Sequence, residues 1–291
     1  MMTLFAIPRP FRGHIGLIQR NAIASWTRLR PLPDIILFGD ESGVQEAAAE
    51  YHLRHEPAVA RNASGTPLIN DVFAKAAALG AHDVQCYVNA DIVLITDFVE
   101  AVHRVAARWR NFLLVGRRWD VDIADPLAFE TGWEGSLRNR VSTTGRLHSE
   151  TGIDYFVFRR GLWGEIPPFA VGRTVWDNWL VYRARARGAA VIDGTRAITA
   201  VHQNHDYPEF PGIGAWNSPE AERNLQLAGG YGYAYSLYDA TWQLGRRWFV
   251  PAVTNYLRRL WAFPRRMAHR WLWGLRRRTS QNDAPSAARG S

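Results

Sequence analysis

The chain has 291 residues, 47% of them hydrophobic, enough to bury a full core, and its length suits one catalytic domain with an appendage. Its single cysteine, Cys86, excludes an internal disulfide or a multi-cysteine metal site and fits a reducing cytoplasm. The net charge of +8 resembles a nucleic-acid signal until it is located: residues 245–278 hold ten arginines and no acid, which leaves the rest of the chain at −2.

In chain order, short β-rich runs alternate with helix-like stretches. Residues 3–7, 34–38 and 84–88 read as strands, and residues 16–26 and 43–52 as helices. A helix is predicted from Pro67 to Leu79, with Thr66 as cap and Pro67 in the first helical position. Residues 98–109 read as a helix and 112–115 as a strand, followed by a polar loop over 116–150. A strand at 155–158, a helix at 176–187 and a strand at 189–192 complete the alternation, which is the pattern of a layered, mostly parallel α/β sheet flanked by helices. Residues 208–244 are expected to be an irregular covering segment, and residues 279–291 a disordered tail. The first eleven residues lack the basic start and apolar stretch of a secretory signal, and no window reaches the roughly 18 uninterrupted apolar residues of a spanning helix.

The strongest chemical signal is Tyr87-Val88-Asn89-Ala90-Asp91-Ile92-Val93-Leu94, a buried strand that ends in short polar residues. Ligand crevices of open α/β sheets lie at the carboxyl ends of strands, so Asp91 is placed to hold Mg2+ or Mn2+ against a diphosphate. The competing reading is an ordinary turn. In the loop Gly116-Arg117-Arg118-Trp119-Asp120-Val121-Asp122, an arginine fork such as that of Arg117 fits diphosphate oxygens, and Asp120 or Asp122 suits sugar hydroxyls; a solvated charged loop is the alternative.

The segment around Asn89 and Asp91 resembles the Asp-X-Asp motif of GT-A nucleotide-sugar glycosyltransferases of the family-2 type, over roughly residues 3–206. The resemblance implies a Rossmann-like GT-A domain over residues 1–207, with Asp91 on the metal and Asn89 in place of the motif's first acid. It further implies a histidine ligand in Val201-His202-Gln203-Asn204-His205-Asp206. His202 and His205, three apart, would meet one ion if that segment were a helical turn; the alternative is a polar loop with one structural histidine. Asp177, in Val175-Trp176-Asp177-Asn178-Trp179-Leu180, resembles the acid that begins a helix beneath the acceptor and acts as general base in inverting members. It equally suits a helix N-terminus as a dipole partner. By position the resemblance places Pro8, Arg9, Asp40 and Asn70 near the nucleotide and Asp154 near the sugar hydroxyls. A UDP-sugar is the favoured donor, and a glycan or lipid-linked hydroxyl the acceptor.

Residues 245–278 interleave Trp248, Phe249, Tyr256, Trp261, Phe263, Trp271 and Trp273 with arginines. They read as an interfacial helix pair broken at Pro264, with rings at headgroup level and arginines on anionic lipid phosphates. RNA is the rival partner and the weaker one, and the chain is expected to be cytoplasmic and peripheral on the inner face of the membrane. Two other functions fit the fold class. One is a sugar nucleotidyltransferase, against which stands the lack of a Gly-rich, lysine-containing loop after the first strand. The other is a non-catalytic membrane-associated carbohydrate-binding protein.

Overall fold

The computed structural model describes residues 1–205 and 218–282. The first half alternates strand and helix: β1 (Thr3–Ala6), α1 (Gly13–Trp26), β2 (Asp34–Phe38), α2 (Val44–Glu50), β3 (Arg54–Glu56), α3 (Ile69–Leu79), β4 (Val84–Val88), β5 (Ile92–Val93), α4 (Thr96–Arg108) and β6 (Phe112–Val115). There follow β7 (Trp119–Val121), α5 (Trp133–Thr144), β8 (Arg146–Leu147), β9 (Tyr155–Arg159), α6 (Trp176–Ala186), β10 (Ala190–Asp193) and β11 (Val201–Gln203). The remainder comprises α7 (Pro219–Ala228), 3-10 turns at Tyr231–Tyr233 and Leu237–Asp239, β12 (Trp242–Leu244), β13 (Phe249–Pro251) and α8 (Val253–Asn282).

Nine strands form the main sheet in the order β13-β12-β10-β6-β9-β4-β1-β2-β3. The pairings within β3-β2-β1-β4 and within β6-β10-β12 are parallel, whereas β9 runs antiparallel between β4 and β6, and β13 is antiparallel at the edge. Alternate side chains of β1 serve opposite faces, as a pleated strand requires. Leu4 and Ala6 pack with Ala22, Ile23 and Trp26 of α1 and Phe98, Val102 and Val105 of α4. Phe5 packs on the other face with Ile69, Val72 and Phe73 of α3 and Trp176, Leu180 and Val181 of α6. A second sheet of four short strands, β5-β11-β7-β8, lies at the carboxyl end of β4.

Five local expectations are corrected. The 116–150 loop contains β7, α5 and β8, whose short strands alternate too briefly to stand out from their charged surroundings. α3 begins at Ile69, because Pro67 and Leu68 are used in extended bridges to Arg61 and Ala170, and Thr66 caps nothing. The covering segment contains α7, whose Ser218 side chain accepts from the Ala221 N–H with Pro219 in the first turn, a readable start signal. Residues 206–217, including Asp206, lie outside the described residues, as do residues 283–291 of the tail, while residues 279–282 are helical. The basic segment is not a helix pair: its first residues form β13, and α8 then runs unbroken through Pro264. No helix of the described residues is long and apolar enough to cross a membrane.

Candidate active site

Strand register assembles the site. Val88 ends β4 opposite Tyr155 at the start of β9, and the Asn89 N–H donates to the Asp154 carbonyl at 2.9 Å, so the Asn89–Asp91 turn and Asp154 share one sheet edge. β11 pairs antiparallel with β5, matching His202 to Ile92, and parallel with β7, matching His202 to Asp120. That places His202 between Asp91 and Asp120. The first turn of α6 is fixed by Trp176, whose ring meets Tyr87 edge-on at 5.4 Å and lies 5.7 Å from Phe156, and Asp177 follows it. Buried Val175, just before the helix, has φ 81, a left-handed conformation unusual for a β-branched residue and of the kind held in place at functional sites. These edges enclose a cavity of about 580 Å3 lined by Arg9, Asn89, Asp91, Arg118, His148, Asp154, Asp177 and His205, among others. That volume lies within the ordinary range for small-molecule sites.

One wall is suited to a cation. A carboxylate oxygen of Asp91 and one nitrogen each from His202 and His205 lie within 4.8 Å of one another. Asp91 Oδ2 is 3.2 Å from His205 Nε2 and 3.6 Å from His202 Nε2. Asp91 Oδ1 and His202 Nε2 are buried and make no hydrogen bond among the described residues. Buried polar atoms are normally satisfied, so this orphaned pair marks where a ligand belongs. Burial pushes the Asp91 carboxyl up, but the charge of His202, the hydrogen bond and charge of His205 and the charge of Arg118 outweigh it and hold the group well below the usual carboxylate range. Behind His202, Asp120 Oδ1 stands 3.4 Å from Nδ1, a contact short of hydrogen-bond geometry on the side from which a carboxylate orients a ligating imidazole. The residues present therefore fit a divalent metal. Two imidazoles beside one carboxylate tilt the preference from Mg2+ toward the softer Mn2+.

Another part of the cavity wall carries Asp177. Burial is the largest influence and raises its carboxyl; the charge of Asp154 adds to the rise, and backbone N–H groups and Arg118 only partly oppose it, leaving the group at about 7. A carboxyl so poised can take and return a proton near neutral pH. Tyr87 lies between the two walls, its hydroxyl pushed up by burial and by the charges of Asp91, Asp154 and Asp177.

The other expected residues divide. Asn89 lines the cavity and donates from Nδ2 to Asp154 Oδ1 at 2.7 Å, while Arg118 Nη1 bonds both oxygens of Asp154 at 2.8 Å. Asp154 is thus bound by protein groups within the cavity wall. Arg9 lines the cavity and has its backbone bonded to the Gln19 amide; Pro8 is not among the lining residues. Arg117 points away and bonds the His148 and Leu147 carbonyls, so its neighbour Arg118 is the arginine at the cavity. Asp120 is buried behind the wall, on Arg118 at 2.9 Å and His148 at 2.8 Å, and is no sugar-hydroxyl partner. Asp40 is 66% exposed, paired with Arg61 outside the cavity, and Asn70 lies in the first turn of α3 and also does not line it. The histidines meet at Asp91 from a strand and the turn after it, not from a helical turn. His148 carried no sequence signal, and reaches the site only because β8 pairs with β7.

No family model and no curated protein matches the chain. Solved structures do. GalNAc-T7 with UDP, GalNAc and Mn2+ is 15% identical over 78% of this chain and 48% of that one, with a TM-score of 0.51. Residues 1–349 of S. aureus TarS, in complex with UDP-GlcNAc, are 13% identical over 79% and 66% of the two chains, also at 0.51. Glucosyl-3-phosphoglycerate synthase from Mycobacterium tuberculosis, with Mn2+, UDP and phosphoglyceric acid, is 16% identical over 79% of both chains, at 0.48. The fold is accordingly that of the GT-A glycosyltransferases: a mixed, mostly parallel sheet flanked by helices.

Proposed function

We propose that this protein transfers a glycosyl group from a nucleotide-diphosphate sugar, with UDP the favoured nucleotide, to a hydroxyl of a glycan or lipid-linked acceptor, with inversion. The observation that carries this reading is that one cavity is lined by Asp91 and His205, which form a cation-suited triad with the buried His202, and by Asp177, a carboxyl poised at about 7. The similar solved structure of GalNAc-T7, which holds UDP together with Mn2+, supports the donor class. Asp91, His202 and His205 would hold Mn2+ or Mg2+, which supplies charge neutralisation to a departing diphosphate.

The chain's own residues supply the rest. Arg118 adds positive charge to the cavity wall, while its bonds to Asp154 and Asp120 fix the guanidinium in place. Asp177 accepts the acceptor hydroxyl's proton at a carboxylate oxygen as that hydroxyl attacks the anomeric carbon and the bond from sugar to phosphate breaks. Attack on the face opposite the leaving group inverts the configuration.

A panel of UDP-sugars incubated with enzyme and Mn2+ tests the reading. UDP release from at least one sugar, abolished by EDTA and by Asp91→Ala, is expected. Pyrophosphate release from UTP and a sugar 1-phosphate would instead make the protein a nucleotidyltransferase. Glycan binding with neither reaction would make it a carbohydrate-binding protein.

A further inference from the structure

α8 is amphipathic in the reverse of the usual sense. Its inward stripe is polar: Asn255 donates to the Leu237 carbonyl, Arg259 bonds the Asp239 and Ala240 carbonyls, and Arg270 bonds the Gly232 carbonyl. Arg266 grips the fully buried Asp239 with two nitrogens, at 2.6 and 2.8 Å, and lies over the Tyr235 ring at 4.2 Å. These bonds use the guanidinium groups to fasten the helix to the two 3-10 turns. Its outward face is apolar: Tyr256, Leu257, Leu260, Trp261, Phe263 and Met267 are all exposed, Trp261 by 90%. At about 100° per residue, the outward residues from Val253 to Leu272 cover roughly half of the helix circumference. Exposed Arg258 and Arg265 lie together along one border of that face. The exposed Trp248 precedes the helix, and no acid occurs between Gly245 and Arg278.

We propose that this face is a docking surface for an anionic lipid bilayer, on which α8 lies in the plane of the interface. An exposed apolar strip of this length needs an apolar partner. Its one-sided arginine border, on a segment with no acid of its own, selects a partner carrying negative charge at the edge of an apolar layer. Anionic headgroups above acyl chains have that arrangement, and tryptophans prefer the same depth. A second copy of the chain would bring like-charged borders together. The strip is joined to the cavity: α8 holds Tyr235 through Arg266, and Tyr235 exchanges hydrogen bonds with Asn178, the neighbour of Asp177. A lipid-linked acceptor would therefore find the base wall close to the docked surface. The docking surface itself does not depend on the donor-site reading, because its readout is partition and not turnover.

Co-sedimentation of the full chain with vesicles tests it, using phosphatidylcholine alone and phosphatidylcholine containing phosphatidylglycerol. The wild type is expected to sediment with the phosphatidylglycerol vesicles and to be released by high salt. Leu260→Ser/Trp261→Ser and Arg258→Ser/Arg265→Ser should each lower the bound fraction at least about tenfold. The Leu260/Trp261 variant should keep the wild-type melting temperature, since both side chains point outward, and the Arg258/Arg265 variant should stay within a few degrees of it, since it loses only the contact of Arg258 over the Tyr238 ring. Failure of the wild type to bind anionic vesicles, or binding unchanged in both variants, overturns the proposal. So does a lipid-free dimer in sedimentation velocity that the Leu260/Trp261 variant dissolves, which would assign the face to a second copy.

Discussion

The two walls of the cavity each present an aspartate, and the fold treats them in opposite ways. Asp91 sits among His202, His205 and Arg118 and is held ionised far below the usual range, whereas Asp177, at the start of α6, is raised to about 7 by burial first and by the charge of Asp154 second. In the proposed reaction one carboxylate binds a cation and the other carries a proton. The sequence around each, a short acid after or before an apolar run, is similar; the difference comes from which strands are paired beside them. Pairs of titratable groups pushed apart by their surroundings are how a site separates its roles.

The largest effect expected from breaking this contrast is in Asp91→Ala, which removes the carboxylate of the triad. Transfer should fall by about 10^4 and Mn2+ binding should be lost in direct titration. Asp177→Asn should lower kcat by about 10^3 while leaving Mn2+-dependent UDP binding within a few-fold. In the wild type, kcat/KM should fall with a limb near pH 7 as Asp177 gains a proton.

The same substitution has a second signature, in stability. Because the folded-state value of Asp177 lies above its unfolded value, the fold binds that proton more tightly. Its contribution favours folding at pH below about 4 and is lost as pH rises to about 7. Asp177→Asn is not subject to that loss, so at pH 8 without metal it should be more stable than the wild type by about 2 kcal/mol, roughly half of the full linkage value. Equal stability at pH 4 and pH 8 relative to the wild type, followed by chemical denaturation, would show that the group is not raised.

A smaller effect is expected behind the cation wall. Asp120→Asn, which weakens the support of His202, should lower Mn2+ affinity by roughly 10–100-fold in direct titration. The smallest is Arg117→Ala, which removes contacts to the Leu147 and His148 carbonyls and the Glu150 carboxylate and should alter transfer only by about two- to threefold, whereas Arg118→Ala, one residue on, should cost far more. Equal losses in the two would contradict the orientation of that loop.

The alternation of strand and helix through α4 and β6 was legible because each strand there is a buried apolar run and the helices between them keep their period. β7, β8 and β11 were not, being two or three residues long and defined by partners distant in sequence. At the site, Asp91, Asp154 and Asp177 were readable because each stands beside an apolar element, at a strand end or a helix start. The choice between Arg117 and Arg118 was not, since adjacent residues of an extended segment point opposite ways and the bonds that set which faces in, from the Arg117 N–H to Thr195, the Trp119 N–H to the Ala200 carbonyl and the His148 N–H to the Arg118 carbonyl, join residues distant in sequence. Asp40 occupies the position the resemblance gave it, but its side chain turns out to Arg61. In the tail, the arginine-aromatic composition was plain, whereas the inward turn of Arg259, Arg266 and Arg270 needed Asp239 and the carbonyls of the 3-10 turns to be in place.

The most direct measurement of the central claim is isothermal titration of UDP and GDP into the wild type and Asp91→Ala, with Mn2+, with Mg2+ and with EDTA. Binding of UDP by the wild type that requires the metal, is tighter with Mn2+ than with Mg2+, and disappears in Asp91→Ala is the expected result. UDP binding unaffected by EDTA and by Asp91→Ala, or no binding of either nucleotide under any condition, would contradict the assignment of this cavity to a metal-held nucleotide.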